Sequence, residues 1–405
     1  MTIFTPSSSE EVLSAVQWAL SEEEPLEILG HGSRRGIGRP VQAAHTLDLS
    51  GVSGVTLYEP EELVLSAKAG TPLAEIEKLL DDNRQQLAFE PMDHGPLFGT
   101  EPGRGTIGGV LAANISGPRR IKAGAARDHI LGIHAVSGRG EAFKSGGRVV
   151  KNVTGYDLSK AMAGSWGTLA VVTDLTFKVL PAAETETTLV LRDLTDEQAA
   201  NVMAHAMGSS AEVSGAAHLP VLVSGKVAGS TLSGSAATVL RMEGVAPSVA
   251  WRIDHLKDLL KAAGEMQEIG AEGSRALWRE IRDCIPFAGG KKKPVWRVSM
   301  APSQGHRMID ALRREAGVNA FYDWQGGLIW LEMAAGPEAA ALRAMIRRFG
   351  GGHATLVRAG EPERASLDVF EPQPPALAAL SARLKAEFDP KGILNPGRMS
   401  SVPAI

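Results

Sequence analysis

Residues Thr106 to Pro181 read TIGGVLAANISGPRRIKAGAARDHILGIHAVSGRGEAFKSGGRVVKNVTGYDLSKAMAGSWGTLAVVTDLTFKVLP. Glycine-dense turns alternate here with short apolar strands, and long charged side chains are few. Glycine lets a backbone approach a ligand or a neighbouring chain closely. The stretch therefore predicts a backbone wrapped around something flat.

Just upstream, Gly103-Arg104-Gly105-Thr106-Ile107-Gly108 matches the GxGxxG dinucleotide fingerprint in form. A nicotinamide site of that kind needs a strand immediately before the glycines and an acidic residue about twenty positions on. Here Pro102 stands where the strand should run, and Lys122 stands near the acidic position. The match is set aside. Gly30 to Gly38, reading GHGSRRGIG, follows the apolar Leu26 to Leu29 and is a better diphosphate cradle, because successive backbone N–H groups there are unobstructed. Taken alone, that loop is equally consistent with a plain connector between strands.

The 405 residues exceed one typical core and predict two main domains of roughly 150 to 200 residues each. A net charge of −4 on 42 basic and 46 acidic residues gives no global reason to bind nucleic acid or an anionic membrane. Lys291-Lys292-Lys293 reads as a solvated loop. Cys284 is the only cysteine, so an intrachain disulfide, a cysteine-ligated zinc and an iron–sulfur cluster held by this chain alone are all excluded. No stretch approaches the ~20 apolar residues of a membrane span. A cytoplasmic location is expected, with any association at the inner membrane made through partners rather than by insertion.

Strands are expected at Leu26 to Leu29, Thr46 to Leu49, Gly54 to Tyr58 and Leu63 to Ala67. Ser7 to Ser9 offer caps to a first helix, and Thr71 with Pro72 opens a second one. After Pro181 the pattern changes to alternating strands and amphipathic helices. Strands are expected at Thr188 to Leu191, Thr238 to Met242, Val295 to Met300, Leu328 to Glu332 and Ala354 to Val357. Helices are expected at Asp196 to Met207, Pro247 to Ala263, Gly273 to Arg282, Gln304 to Glu315, Pro337 to Phe349 and Ala376 to Phe388. The fold class is α+β, with an antiparallel sheet covered by helices in the second domain.

The order of short motifs resembles the flavoproteins of the vanillyl-alcohol oxidase and p-cresol methylhydroxylase (PCMH) type. The motifs are Gly30-His31-Gly32-Ser33, Ala69-Gly70-Thr71, Thr106-Ile107-Gly108-Gly109, Ser116-Gly117, Gly124 with Arg127-Asp128, Lys151 to Asp157, Gly164 to Leu169, Phe388-Asp389-Pro390 and Asn395-Pro396-Gly397-Arg398. Trp296 to Ser299, Asp323 to Gly327 and Gly351 to Leu356 bring the likeness nearest to the FAD-binding subunits of glycolate oxidases. The resemblance implies a PCMH-type FAD-binding domain of two α+β subdomains at 1–182, an α+β cap at 183–375 and a segment at 376–405 returning to the first domain. It also implies partners: a paralogous FAD subunit, and an iron–sulfur subunit that carries electrons onward.

Carried over by position, the resemblance places the FAD diphosphate on Gly30, His31, Gly32, Ser33 and Arg34. It lines the flavin and ribityl chain with Pro91, Met92, Gly103, Thr106, Gly108 and Gly109, with Ser116 and Gly117 also in contact. Arg127 and Asp128 would close the adenine side, and Asn395 and Arg398 would return to the flavin from the C-terminus. Relatives with covalent FAD often carry histidine just before the loop serine. Here that place is Gly32, so noncovalent FAD is expected.

Oxidising a small 2-hydroxy acid such as glycolate or D-lactate needs an acceptor for the α-hydride, a base for the hydroxyl proton and a cation for the carboxylate. Arg297 and Arg358 are candidates for the carboxylate, as guanidinium groups bind it bidentately. His353 is the candidate base. Structural roles compete with each of these: an ion pair for Arg297, a backbone hydrogen bond for His353. The HxH and HxGDGN metal motifs of D-lactate-oxidising relatives are absent from the sequence, so no metal site is expected. Three functions stand open: a 2-hydroxy-acid dehydrogenase subunit, an accessory FAD scaffold or electron relay, and a stand-alone flavin oxidase of a sugar or alcohol.

Overall fold

The computed structural model describes residues 2–149, 155–289 and 292–401. Among these, a three-stranded parallel sheet places His45–Asp48 between Thr2–Phe4 and Leu26–Leu29. The helix Ser9–Glu22 covers it because Val12, Val16 and Ala19 recur at helical spacing and bury against Leu26 and Leu47. Ser8 caps this helix by accepting the Glu11 N–H at 3.2 Å. The C-terminal tail returns to the same sheet: Leu26 donates to the Ile393 carbonyl at 2.8 Å, and Asn395 donates to that of Leu26 at 3.0 Å.

A five-stranded antiparallel sheet follows, in the order Val55–Glu59, Val64–Lys68, Ala170–Lys178, Ile130–Ser137, Ala142–Gly146. The helices Leu73–Asp82 and Ile107–Ala113 pack Ile76, Leu80, Val110 and Leu111 onto it. Thr71 does not cap the first of these helices. Its hydroxyl is bound to the Gly54 N–H and to the Lys68 carbonyl, which leaves Pro72 at the cap position. No strand runs directly into Gly103, consistent with setting the nicotinamide fingerprint aside.

The third sheet is eight-stranded and antiparallel, in the order Met266–Ile269, Thr185–Arg192, Ala237–Gly244, Gly215–Leu219, Val318–Asp323, Leu328–Met333, Val295–Met300, Gly352–Arg358. Alternation along Val295–Met300 shows how it is used. Trp296, Val298 and Met300 enter a core shared with the helices Pro302–Leu312 and Ala339–Arg348. Val295, Arg297 and Ser299 face the other way. That second face packs Phe321, Leu328, Trp330 and Val357 against the helix Ala271–Arg282 and against Met92, Leu97, Ile115 and Trp166 of the first part of the chain. The α+β fold class and the antiparallel sheet are as expected.

Three strands of this sheet are additional to the expectation: Gly215–Leu219, Met266–Ile269 and Val318–Asp323. Gly215-Ala216-Ala217-His218-Leu219 lacks the branched and aromatic residues that mark strands. It pairs on both sides, and all five residues are buried.

Candidate functional site

A cleft opens where Leu26–Leu29 runs into the glycine loop. Its walls are Gly30 to Arg35 on one side, Thr106, Gly108 and Gly109 opposite, and Ser165, Trp166, Gly167, Asn395 and Arg398 at the end. Local chemistry sets this shape. Thr106 caps the helix Ile107–Ala113, its hydroxyl accepting the Gly109 N–H at 3.2 Å. A Cβ on Gly108 would stand 2.8 Å from the Ala69 carbonyl oxygen, and one on Gly109 would stand 2.8 Å from Arg34 Nη1. Glycine is required at Gly108, where the two backbones touch, whereas a side chain at Gly109 would displace the Arg34 guanidinium.

Arg34 is buried, its Nη2 donating to the Met92 carbonyl at 3.3 Å, while its Nε has no partner among the described residues. Burial brings its guanidinium down to about 10, with Asp93 acting the other way. From the C-terminal tail, Asn395 Oδ1 accepts the Ile28 N–H at 2.8 Å and its Nδ2 donates to the Trp166 carbonyl at 2.8 Å. Arg398 Nη2 donates to the Arg34 carbonyl at 2.8 Å, holding the glycine loop in place. Ser165, Trp166 and Gly167 belong to the cleft wall rather than to a layer beneath it, Trp166 (φ 54) and Gly167 (φ 70) forming a left-handed turn. Residues 151–154 of the neighbouring motif lie outside the described residues.

Other residues expected at the cofactor are placed away from this cleft. Gly103 is an exposed turn (φ 77) whose N–H donates to Asp93 at 2.7 Å. Pro91 and Ser116 form an isolated bridge behind the wall, and the Ser116 hydroxyl accepts the Ala126 N–H. The Gly117 carbonyl accepts the Trp324 indole N–H at 2.9 Å, which makes it part of the seam with the large sheet. Arg127 is exposed. Asp128 accepts the Ala125 N–H at 2.8 Å and so is engaged at the start of its own helix. Met92 touches the site only through its carbonyl.

On the large sheet, Arg297 pairs with Trp330 and Thr355, and Ser299 pairs with His353. Paired residues of antiparallel strands share a face, so Arg297, Ser299, His353 and Thr355 look together toward the FAD-binding part. Arg297 Nε is buried without a partner among the described residues, and the guanidinium is brought down to about 10 by burial and by Arg120, with Asp323 opposing. His353 is exposed, and its imidazole is held below the ordinary value by partial desolvation and by Arg297, with Glu371 opposing and Arg120 adding to the shift. Arg358 is not available as a carboxylate clamp. It donates to the carbonyls of Lys293 at 2.9 Å, Leu97 at 2.8 Å and Phe287 at 2.6 Å, and to Glu332 at 3.3 Å. That saturated guanidinium ties the edge of the sheet to two loops.

Three groups escaped the sequence reading. His94 is buried with both ring nitrogens unpartnered among the described residues, and it is driven well below its ordinary value by burial and by Arg34, with the Met92 carbonyl opposing and Arg297 adding to the shift. Arg120 and Arg297 lie 4.3 and 4.9 Å from the Trp324 ring centroid. Asp323 is buried, with one oxygen accepting the Trp324 N–H at 2.7 Å, and burial pushes its carboxyl up to about 7. Among the described residues no group of three or more His, Cys, Asp or Glu is placed to hold a metal ion, and no helix is long and apolar enough to cross a membrane.

A family model described as FAD binding domain matches residues 2–146. The fold superimposes on p-cresol methylhydroxylase with a TM-score of 0.73 over 98% of this chain and 88% of that one, at 14% identity. Fold and cleft together define an FAD-binding fold of the PCMH type. At the level of sequence, the chain is 34% identical to the glycolate oxidase subunit GlcE of Escherichia coli over 96% of its own length and 97% of that protein. It therefore belongs to the family of that subunit. A D-lactate dehydrogenase of Archaeoglobus fulgidus is 27% identical over 98% of this chain and 90% of the relative.

The residues present fit FAD. The Gly30 to Ser33 backbone offers N–H groups for a diphosphate, and the Arg34 guanidinium in the cleft wall adds positive charge beside them.

Proposed function

We propose that this chain is the FAD-binding subunit of a glycolate oxidase-like 2-hydroxy-acid dehydrogenase, acting on glycolate or D-lactate and passing electrons to a partner iron–sulfur subunit beside a paralogous FAD subunit. The observation that carries this reading is the placement of Arg297 and His353 on the sheet face that packs against the Met92 to Leu97 segment, where buried His94 feels the charges of both Arg34 and Arg297. The names of the two relatives support the substrate class, and the word subunit in one of them supports assembly into a complex.

Bound FAD supplies the two-electron acceptor. The chain's own residues do the rest. Gly30 to Ser33 hold the diphosphate, while Arg398 and Asn395 keep that loop and Trp166 in register. Arg297 takes the substrate carboxylate, its Nη groups being free of any hydrogen bond to the described residues. His353, neutral at physiological pH, accepts the hydroxyl proton at a ring nitrogen. The FAD is held noncovalently, since His31 precedes the loop serine by two positions and Gly32 offers no side chain.

Anaerobic addition of glycolate or D-lactate to the purified, FAD-loaded chain tests this. Bleaching of the flavin band is expected. A spectrum that changes only when partner subunits are added would replace catalysis by an accessory electron-relay role. Yellow colour remaining on acid-precipitated protein would overturn noncovalent binding.

A further inference from the structure

Trp324 lies in a turn where three successive residues, Trp324 (φ 50), Gln325 (φ 62) and Gly326 (φ 94), are left-handed. Such backbone is unfavourable at each non-glycine position and persists where the surroundings over-determine it. Here the indole is pinned by its N–H to the Gly117 carbonyl and is only 6% exposed. It carries the guanidinium of Arg120, from the FAD-binding part, at 4.3 Å and that of Arg297, from the sheet, at 4.9 Å. The carboxylates acting on them, Asp128 for Arg120 and Asp323 for Arg297, are committed elsewhere: Asp128 to a helix start, Asp323 to a backbone N–H. Arg120 is exposed, so the pair is reachable from solvent.

Two guanidinium groups on one rigid indole repel each other unless an anion joins them. The FAD diphosphate is not that anion, because Arg120, Arg297 and Trp324 do not line the cofactor cleft. The polar neighbours on the Arg297 face are Ser299, Thr355 and His353, beside the Trp330 ring at 6.0 Å, a mixed lining suited to a short hydroxylated ligand. We infer that Arg120 and Arg297, spaced by Trp324, form a single anion site that grips the substrate carboxylate from both sides of the seam, with Arg120 setting the requirement for a charged substrate. This rests on the 2-hydroxy-acid reading proposed above. It adds a binding residue from the FAD-binding part and makes Trp324 its positioning residue.

The test is calorimetric titration of the FAD-loaded chain with propionate, which lacks the hydroxyl and is not oxidised, with propionamide and with inorganic phosphate. Wild type is expected to bind propionate and not propionamide. Arg120→Gln should weaken propionate binding about tenfold or more, as for loss of a charge-assisted bond, with an unchanged melting temperature, and Arg120→Lys should restore part of it. In turnover, Arg120→Gln should raise KM more than it lowers kcat. Equal affinity in wild type and Arg120→Gln, no propionate binding by wild type, or tighter binding of phosphate than of propionate would each overturn the assignment. Propionate binding that depends on Arg120 in a chain no 2-hydroxy acid can reduce would retain the anion site and reject the proposed activity.

Discussion

Two charged clusters lie along the seam between the FAD-binding part and the large sheet, and they are built on opposite principles. In the first, Glu90 accepts from Arg241 at 2.9 and 3.1 Å and from the Arg119 N–H at 2.6 Å, while Glu243 accepts from Arg119 at 3.0 and 2.7 Å. The signs alternate and the carboxylates are bonded. Glu243 is held at about 2 by Arg241 and Arg119 despite its burial, and Arg241 is pushed up by Glu90 and Glu243 against its own desolvation. In the second, Arg120 and Arg297 lie against Trp324 and His94 feels both Arg297 and Arg34; Arg34, His94 and Arg297 carry orphaned nitrogens, and none of the four has a bonded carboxylate among the described residues. A closed network holds the two parts of the chain together. An open one is retained in spite of its cost, and perturbed groups of that kind collect where a ligand supplies the missing charge.

The largest effect should come from breaking the closed network. Arg241→Met leaves Glu90 and Glu243 buried with one arginine between them, and removing one partner of a buried pair costs about 3–5 kcal/mol. Urea unfolding at fixed saturating FAD should show that loss. A change below about 1 kcal/mol would mean that the network is not what fastens the seam. Arg297→Met makes the contrast. It relieves a buried unpaired charge, so stability should hold or rise by about 1 kcal/mol, while reduction of the flavin by glycolate or D-lactate slows by roughly a hundredfold through lost orientation. Should Arg297→Met destabilise as much as Arg241→Met, the two clusters would not differ in kind.

The same contrast explains what was legible in the sequence. The α+β class followed from local pattern: alternation in Val295–Met300, a continuous apolar run from Leu328, and helical spacing in Asp196–Met207. The cleft loops were marked by glycines at Gly30 to Gly38 and Gly108-Gly109, because glycine clusters show in the sequence even though their contacts, such as Gly108 with Ala69 and Gly36 with Phe98, do not. Gly215–Leu219 was invisible because its strand character comes from two neighbours rather than from its own residues. The open cluster was invisible for a related reason. Arg120 looked like one more basic residue near Arg119, His94 like a loop histidine, and Trp324 like part of a glycine-rich turn. Only the folding of the sheet over the Pro91 to Gly117 segment brings them together. Conversely, Arg358 had the residue type wanted for a carboxylate, yet its four hydrogen bonds to Lys293, Leu97, Phe287 and Glu332 commit it to the fold.

Asp323 offers the smallest effect and the sharpest test, because it sits between the clusters. Its carboxyl is raised to about 7 by burial and by Glu90, while the Trp324 N–H, Arg241 and Arg297 pull it down. An acid with a higher value folded than unfolded binds its proton more tightly in the folded state. Stability should therefore fall as pH rises from about 4 to about 7, and the full penalty should be present above that window. Asp323→Asn keeps an oxygen for the Trp324 N–H and removes the penalty. The variant should be more stable than wild type at pH 8, on the order of 2 kcal/mol, with the difference shrinking at pH 5. Urea midpoints at the two pH values check this, and a gain independent of pH would show that the carboxyl is not the titrating group. In an Arg297→Met background the gain at pH 8 should grow, since the cation that eases ionisation of Asp323 is gone. A gain left unchanged there would mean that Arg297 already spends its charge elsewhere, which would close the cluster described here as open.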